Sequence, residues 1–223
     1  MMARSTADLI QRLAGDSPAV RRLRRPSVRA VMWCAVSLTY LWLLYSVWPH
    51  TGLNPPSDRR FIVEQAAAFA TGLSAAVAAF AMVVPGSSRR LVLAPLVPLG
   101  VWAGSVGQMC ARDWSSLSHL PPILIHWGCF PATIVAGFIP TVAIVVMLRR
   151  GAPMSPRLTT ALAGLAVAGM ANFGIRFVHA SDPSFVVLAW HLTAVFALSA
   201  VATAFGDRMF SWRKTLAASR VGA

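Results

Sequence analysis

Cysteine and histidine side chains gather in one short stretch in the middle of the chain. Residues 108–130 hold two of the three cysteines and two of the five histidines: Cys110, His119, His126 and Cys129. Thiolate and imidazole groups bind zinc, copper and similar metal ions, and two thiols form a disulfide in an oxidising compartment. These residue types predict a site that responds to a metal ion or to an oxidant.

The spacing leaves the use of these thiols open. Cys110 and Cys129 lie 19 positions apart, which matches no dedicated zinc motif. A disulfide that closes a loop of this length would contribute about 3 kcal/mol to stability. The third alternative is that both are small apolar residues at the ends of helices. Cys34 lies inside an apolar run, and we predict it to be a packing residue.

The helices that must position this stretch are predicted to be membrane spans. The chain is 57% hydrophobic and 12% charged, with a mean hydropathy of +0.63, whereas soluble domains carry about 25% charged residues. Blocks of charge separate apolar runs of about 20 residues, the length that crosses a bilayer. The sequence therefore predicts an all-α integral membrane protein with six transmembrane helices, near residues 30–48, 61–84, 91–109, 130–148, 158–178 and 184–205.

The basic residues are distributed unequally between alternate connections. Sixteen of the 20 Lys and Arg residues lie on the side of the amino terminus, so the positive-inside rule predicts that both termini are cytoplasmic. The same bias accounts for the net charge of +13 without direct binding to nucleic acid. We expect a multi-pass protein of the bacterial inner membrane, with residues 108–130 on the outer side and Trp33 in the aromatic belt of the inner interface.

Small residues inside the spans predict close helix packing. Gly100 and Gly104 lie four positions apart in the third span, as do Gly164 and Ala168 in the fifth. Such pairs let two helices approach closely in a bilayer. Prolines inside a span are tolerated where neighbouring helices bond to the freed backbone groups. Three spans are therefore predicted to bend or break, among them the third, which contains Pro95 and Pro98, and the fourth, which contains Pro140.

Residues 1–29 are predicted to form a cytoplasmic arm, followed by a transmembrane domain (residues 30–206) and a basic tail (residues 207–223). Ser5 or Thr6 is a candidate cap for an arm helix that ends near Gly15. One interpretation places the arm and its arginines on the anionic surface of the lipid bilayer. The alternative is a docking face for a soluble partner, formed by the apolar residues of the arm: Leu9, Ile10, Leu13, Val20 and Leu23.

Residues typical of enzymes and pumps are scarce. The sequence has no Gly-rich phosphate loop, no GxSxG elbow and no HExxH motif, so we predict no enzymatic activity. Ionisable residues inside a membrane mark ion or proton pathways. Here Glu64 and Arg176 lie near the outer ends of their spans, and Asn172 is one of few polar groups deeper inside. This scarcity disfavours a pump or transporter.

Three stretches of the chain carry a family resemblance. They are Asp8-Leu9-Ile10 through Asp16-Ser17-Pro18-Ala19-Val20-Arg21-Arg22-Leu23, the pair Gly128-Cys129, and Leu148-Arg149-Arg150-Gly151-Ala152-Pro153, continued through Pro156-Arg157-Leu158 to Trp190-His191. In this order and spacing the chain resembles the NrsF family of six-span bacterial membrane proteins, which are negative regulators of an extracytoplasmic-function sigma factor. The resemblance covers essentially the whole chain.

The resemblance implies an anti-sigma factor that holds its sigma factor at the inner face of the membrane and releases it when cysteines sense an outer stress. It requires no cofactor and admits a metal ion as the signal. Cys129 matches the family's cysteine at the start of the fourth span, whereas Ala180 stands where the family has a cysteine after the histidine that precedes the sixth span. We expect Cys110 or His179 to act with Cys129. The expected sigma-binding residues are Leu9, Ile10, Leu13, Val20, Arg21, Arg22 and Leu23.

Two other functions stay open on the residues alone. One is a small membrane transporter or carrier subunit for a cation or metal, which would need polar residues along mid-membrane faces. The other is a structural membrane subunit whose basic arm binds only lipid. Such a subunit would keep its membrane attachment, and recover no partner, when Leu9 and Leu13 are changed.

Overall fold

The computed structural model describes residues 6–15, 23–47, 59–114, 129–151, 153 and 155–177, with residues 193, 196, 197, 200, 203 and 204 of the carboxy-terminal part. All regular structure in these residues is helical. There are six α-helices: α1 (Thr6–Gly15), α2 (Pro26–Val47), α3 (Arg59–Ala81), α4 (Leu96–Trp114), α5 (Cys129–Arg149) and α6 (Pro156–Ile175). A short 3-10 helix, Arg89–Leu93, precedes α4.

The predicted spans agree with five of these helices. Helices α2, α3, α5 and α6, and the segment Arg90–Arg112 that contains most of α4, are long and apolar enough to cross a membrane. The arm helix begins at Thr6 and ends at Gly15, as predicted. The predicted sixth span, residues 184–205, lies mostly outside the described residues.

Proline and serine side chains set several helix ends. Pro26 and Pro156 occupy the first positions of α2 and α6, where the missing N–H costs no helical bond. The predicted third span, 91–109, is split as expected, because Pro95 interrupts the chain between the 3-10 helix and α4. Ser88 caps the 3-10 helix, since its Oγ accepts a hydrogen bond from the Arg90 backbone N–H at 3.3 Å.

The described helices form a bundle around α3 and α6. In α6, 72% of the most apolar window is buried, against 17% in the segment that contains α4. Helix α5 packs on α6 and α2, α2 also packs on α3, and α4 packs chiefly on α3. The bundle has two ends. We call one the arm end, where α2 and α6 begin and α3 and α5 end, and the other the loop end, which carries Glu64, Cys110, Cys129 and Arg176.

Two glycines allow α3 and α6 to pack in backbone contact. A Cβ atom added to Gly169 of α6 would lie 2.7 Å from the backbone N of Gly72 and 2.9 Å from the carbonyl O of Ala68, both on α3. Side chains cannot occupy that space, so this approach requires glycine at position 169. The fifth span thus packs closely through a small residue, although at Gly169; Gly164 and Ala168, the pair named from the sequence, are buried in the same helix.

The third span shows no such contact among the described residues. Around Gly100 and Gly104 of α4, no atom of the described part of the chain lies within 4 Å of an added Cβ, so these glycines bring no other described helix close. Helix α4 makes its contact with α3 through Trp102 and Val106 instead, which pack against Ala67. In this part of the bundle, large side chains rather than glycines fill the helix–helix interface.

Gly169→Ala is expected to destabilise the bundle by about 1–3 kcal/mol, because the new methyl group must push two helix backbones apart. The measurement is thermal unfolding of the purified protein in detergent, followed by circular dichroism. Gly104→Ala is the matched control: it places the same methyl group in open space, and alanine favours a helix over glycine by about 0.5–1 kcal/mol. Equal melting temperatures for the two variants would contradict the contact described here.

Candidate functional site

Helix α1 exposes an apolar face that the described bundle does not cover. Leu9, Ile10 and Leu13 are 54%, 62% and 62% exposed, and no residue of α1 is buried. The opposite face is polar, with Arg12 Nη2 at 3.8 Å from Asp8 Oδ2. Exposed apolar side chains on one face of a helix are typical of a surface that binds another helix or a membrane.

Of the remaining residues of the predicted sigma-binding set, the structure describes only one. Val20, Arg21 and Arg22 lie outside the described residues. Leu23 lies at the arm end of the bundle, where its Cδ1 is 3.4 Å from the point that a Cβ on Gly151 would occupy. Its side chain is 41% exposed. Leu23 therefore combines an exposed surface with a position directly beside the connection between α5 and α6.

The predicted thiol site is described only in part. Cys110 is half-buried in α4 and forms no disulfide within the described residues, and Cys129 is the first residue of α5. His119, His126 and His179 lie outside the described residues. Among the residues that the structure describes, no three His, Cys, Asp or Glu side chains gather as a metal site would require. Cys34 is buried in α2, which agrees with the predicted packing role.

A buried ion pair joins α3 to α6 at the loop end. Arg176 Nε donates a hydrogen bond to Glu64 Oε1 at 2.9 Å, and the two side chains are only 7% and 5% exposed. The Arg176 guanidinium lies 5.8 Å from the centre of the Phe61 ring, and Phe61 meets Phe177 edge to face. The sequence placed both charged residues at the outer ends of spans but did not predict the pair, because 112 positions separate them.

Other polar groups surround this pair without forming a pathway. The Gln65 side chain is buried beside Glu64, and neither atom of its amide finds a hydrogen-bond partner among the described residues. Thr71 and Asn172 line a cavity of about 10 Å³ between α3, α4 and α6. A cavity of that size holds about one water molecule. This cavity is therefore too small to serve as a water-filled path for an ion.

A groove of about 510 Å³ lies between α2 and α6 and is almost entirely apolar. Its lining includes the rings of Trp42, Phe173 and Phe177, and no charged side chain takes part. The groove therefore suits a hydrocarbon group and offers no ligand for a metal ion.

Arg29 occupies the arm end in a way that the sequence did not predict. The sequence groups Arg29 with the surface arginines of the arm. In the structure it is part of α2 and only 5% exposed. Its Nη2 donates a hydrogen bond to the carbonyl oxygen of Met147 in α5. Its guanidinium carbon lies 4.5 Å from the centre of the Phe80 ring of α3. Arg29 therefore links α2, α3 and α5 where the arm joins the bundle.

Two further side chains of α2 donate to the backbone of α5. Trp33 Nε1 donates to the carbonyl oxygen of Pro140 at 2.9 Å, and the Tyr40 hydroxyl donates to that of Val135 at 2.7 Å. The prediction that Trp33 lies in an interfacial aromatic belt was wrong. The ring is fully buried, because its N–H group finds a partner inside the bundle.

These observations define the general class of the protein. The chain is all-helical in its described part, with five helices able to cross a membrane and a separate amphipathic helix, α1, with an exposed apolar face. The model of the NrsF family, described as negative regulator of sigma F, matches residues 13–212. Because the match covers most of the chain, the protein belongs to the NrsF family of sigma-factor negative regulators. No curated protein and no solved structure matches this chain.

Proposed function

We propose that this chain is a membrane-bound anti-sigma factor. It binds an extracytoplasmic-function sigma factor at the inner face of the bacterial cytoplasmic membrane and releases it on an outer-side stress. The observation that carries the proposal is the family match over residues 13–212 together with the uncovered apolar face of α1. The match begins at Leu13, so Leu9 and Ile10 precede it on the same helix.

The arm has the properties that docking requires. The apolar face of α1 supplies side chains that can be buried in a groove of the partner, as amphipathic helices do in helix-in-groove complexes. Arg21 and Arg22 follow it and would favour an acidic partner surface through charge complementarity. Leu23, beside Gly151, brings the docking surface into contact with the bundle.

The orientation in this proposal comes from the distribution of basic residues, with sixteen of 20 on the side of the arm. With the arm end in the cytoplasm, Cys129, at the start of α5, and Cys110, near the end of α4, would lie towards the outer side. Cys129 then senses the metal ion or oxidant, with Cys110 or His179 as its partner and with His119 and His126 in the same outer region. A metal ion acts here as a signal and not as a resident cofactor.

The described polar groups disfavour the transporter alternative. A cation carrier needs ionisable or polar side chains along a water-filled path. Here Glu64 is already paired with Arg176, and the cavity lined by Asn172 measures about 10 Å³. A structural subunit whose arm binds only lipid remains the rival that the following experiment distinguishes.

The test is recovery of a sigma factor with the detergent-solubilised protein, with and without residues 1–22, a deletion that leaves α2 and its buried Arg29 in place. We expect the full chain to retain a sigma factor identified by mass spectrometry, and the shortened chain to lose it while remaining in the membrane fraction. Recovery of no sigma factor by the full chain, from cells that express one, would remove the anti-sigma function. In that case membrane attachment through the arm would favour the lipid-binding subunit.

A further inference from the structure

Three hydrogen bonds from side chains of α2 to backbone oxygens of α5 join the two helices along most of their length. The donors are Arg29, Trp33 and Tyr40, and the acceptors are the carbonyls of Met147, Pro140 and Val135. We infer that Arg29, Trp33 and Tyr40 are positioning residues that couple α5, the helix that begins at Cys129, to the docking arm. This inference rests on the proposed function, since it names the route by which the outer thiol reaches the sigma-binding arm.

The two helices joined by these bonds carry the two ends of the proposed route. Helix α5 begins at the loop end with Cys129, and α2 is the helix to which the arm is attached. The Arg29 backbone N–H bonds to the Arg25 carbonyl oxygen at 3.1 Å, so the helical hydrogen bonding of α2 extends back to Arg25. A displacement of α5 therefore passes through three side chains to a helix that leads directly into residues 23–25.

The bonds from Trp33 and Tyr40 reach α5 near its proline. Pro140 has no N–H group, so the helical hydrogen bond to the Ala136 carbonyl is missing at the middle of α5. Trp33 bonds to the carbonyl of Pro140 itself, and Tyr40 bonds to that of Val135, next to Ala136. The two side chains therefore contact α5 in the part where its own hydrogen bonding is interrupted.

The other helix pair of the bundle is less suited to transmit a displacement. Gly72 and Gly169 bring α3 and α6 into backbone contact, and Glu64 and Arg176 join the same pair at the loop end. Packed interfaces of this kind resist small changes in position. The α3–α6 pair is therefore the fixed frame against which a displacement of α5 and α2 can be measured.

The arm end shows how the movement would reach the docking surface. Arg29 bonds to Met147 two residues before α5 ends at Arg149, while Leu23 lies beside Gly151 just beyond that end. A shift of the end of α5 thus changes the surroundings of Arg29 and Leu23 together, and both lie where the chain passes from the arm into α2.

The experiment measures the position of the arm against the fixed frame. Spin labels are introduced through unnatural amino acids at Gln11 of α1 and Leu158 of α6, in the full chain reconstituted in nanodiscs, and their distance is measured by double electron–electron resonance. N-ethylmaleimide is the probe, and the Cys129→Ser chain defines which part of its effect depends on Cys129. Helix displacements of about 1–5 Å are typical of such transitions, and we expect a change of that size in the chain with Cys129.

The double variant Trp33→Phe, Tyr40→Phe is expected to lose at least half of this Cys129-dependent change. Trp102→Phe is the matched control, because it removes the same N–H group from a buried tryptophan of α4 whose Nε1 has no hydrogen-bond partner among the described residues. It should keep the whole change. Tyr40→Phe alone, which removes one oxygen from a half-buried side chain, should lose part of the change even if the double variant folds poorly.

Two results would overturn the inference. One is a full distance change in the double variant and in Tyr40→Phe, and the other is the lack of any Cys129-dependent change in the unsubstituted protein. Sigma-factor binding is measured separately on the same nanodiscs. If the unsubstituted protein binds no sigma factor, the proposed function is wrong. The distance data would still decide whether α5 and the arm are coupled.

Discussion

Leu13→Asp is expected to abolish retention of the sigma factor while the protein still inserts into the membrane. Leu13 is 62% exposed on α1 and belongs to the apolar face with Leu9 and Ile10. A carboxylate at its position would have to be buried in the partner without a counter-charge. Residues central to an interface contribute about 2 kcal/mol or more, so binding should weaken by at least about thirty-fold. A sigma-dependent reporter should then be active without stress.

The control for this variant lies on the same helix. Gln11 is exposed on the polar face of α1, opposite Leu13, so Gln11→Asp adds the same charge to the arm without entering the apolar face. It should retain the sigma factor. Constitutive reporter activity in both variants would show that negative charge on the arm, rather than loss of the apolar contact, is responsible. An inactive reporter in Leu13→Asp would remove α1 from the docking surface.

Arg176→Leu is expected to lower the free energy of unfolding by about 3–5 kcal/mol, because it leaves the buried Glu64 carboxylate without its partner. Glu64→Leu should act similarly, since it leaves the guanidinium buried and unpaired. The double replacement by two leucines should recover most of the loss, because well-packed apolar residues often substitute for a buried ion pair at little cost. The measurement is detergent unfolding followed by tryptophan fluorescence.

A surface arginine of the same helix pair supplies the control. Arg59 is exposed at the start of α3, and Arg59→Leu should change the unfolding free energy by no more than about 0.5 kcal/mol. If the double variant is as unstable as the two single losses added together, the residues contribute independently. The ion pair would then not be the interaction that joins α3 to α6 at the loop end.

Much of the helical architecture could be predicted from the sequence. The length of an apolar run and the charged residues at its ends are local features, and they determine where a membrane span lies. The arm helix from Thr6 to Gly15 and the positions of α2, α3, α5 and α6 depend on runs of apolar residues and on nearby caps. The break before α4 could also be predicted from the sequence, because Pro95 lies inside the third apolar run and removes a backbone N–H there.

The contacts between helices were less predictable because they depend on residues far apart in the chain. Arg29 was counted with the surface arginines, and its burial follows from Phe80 and Met147, which lie in other helices. Glu64 and Arg176 were each noticed, and a carboxylate and a guanidinium at matching ends of two spans were the available signal for their pairing. Which of two equivalent small-residue pairs makes a contact, Gly164–Ala168 or Gly100–Gly104, depends on which helices become neighbours.

The close contact between Gly72 of α3 and Gly169 of α6 joins two helices that the ribosome synthesises at different times. A ribosome adds about 5–20 residues per second, so α6 follows α3 into the membrane after roughly 5 to 20 seconds, the time needed for about a hundred residues. During that interval the nascent α3 holds the Glu64 side chain before Arg176 has been synthesised. The newly inserted helix is therefore expected to depend on a temporary partner for that carboxylate until the later helix arrives.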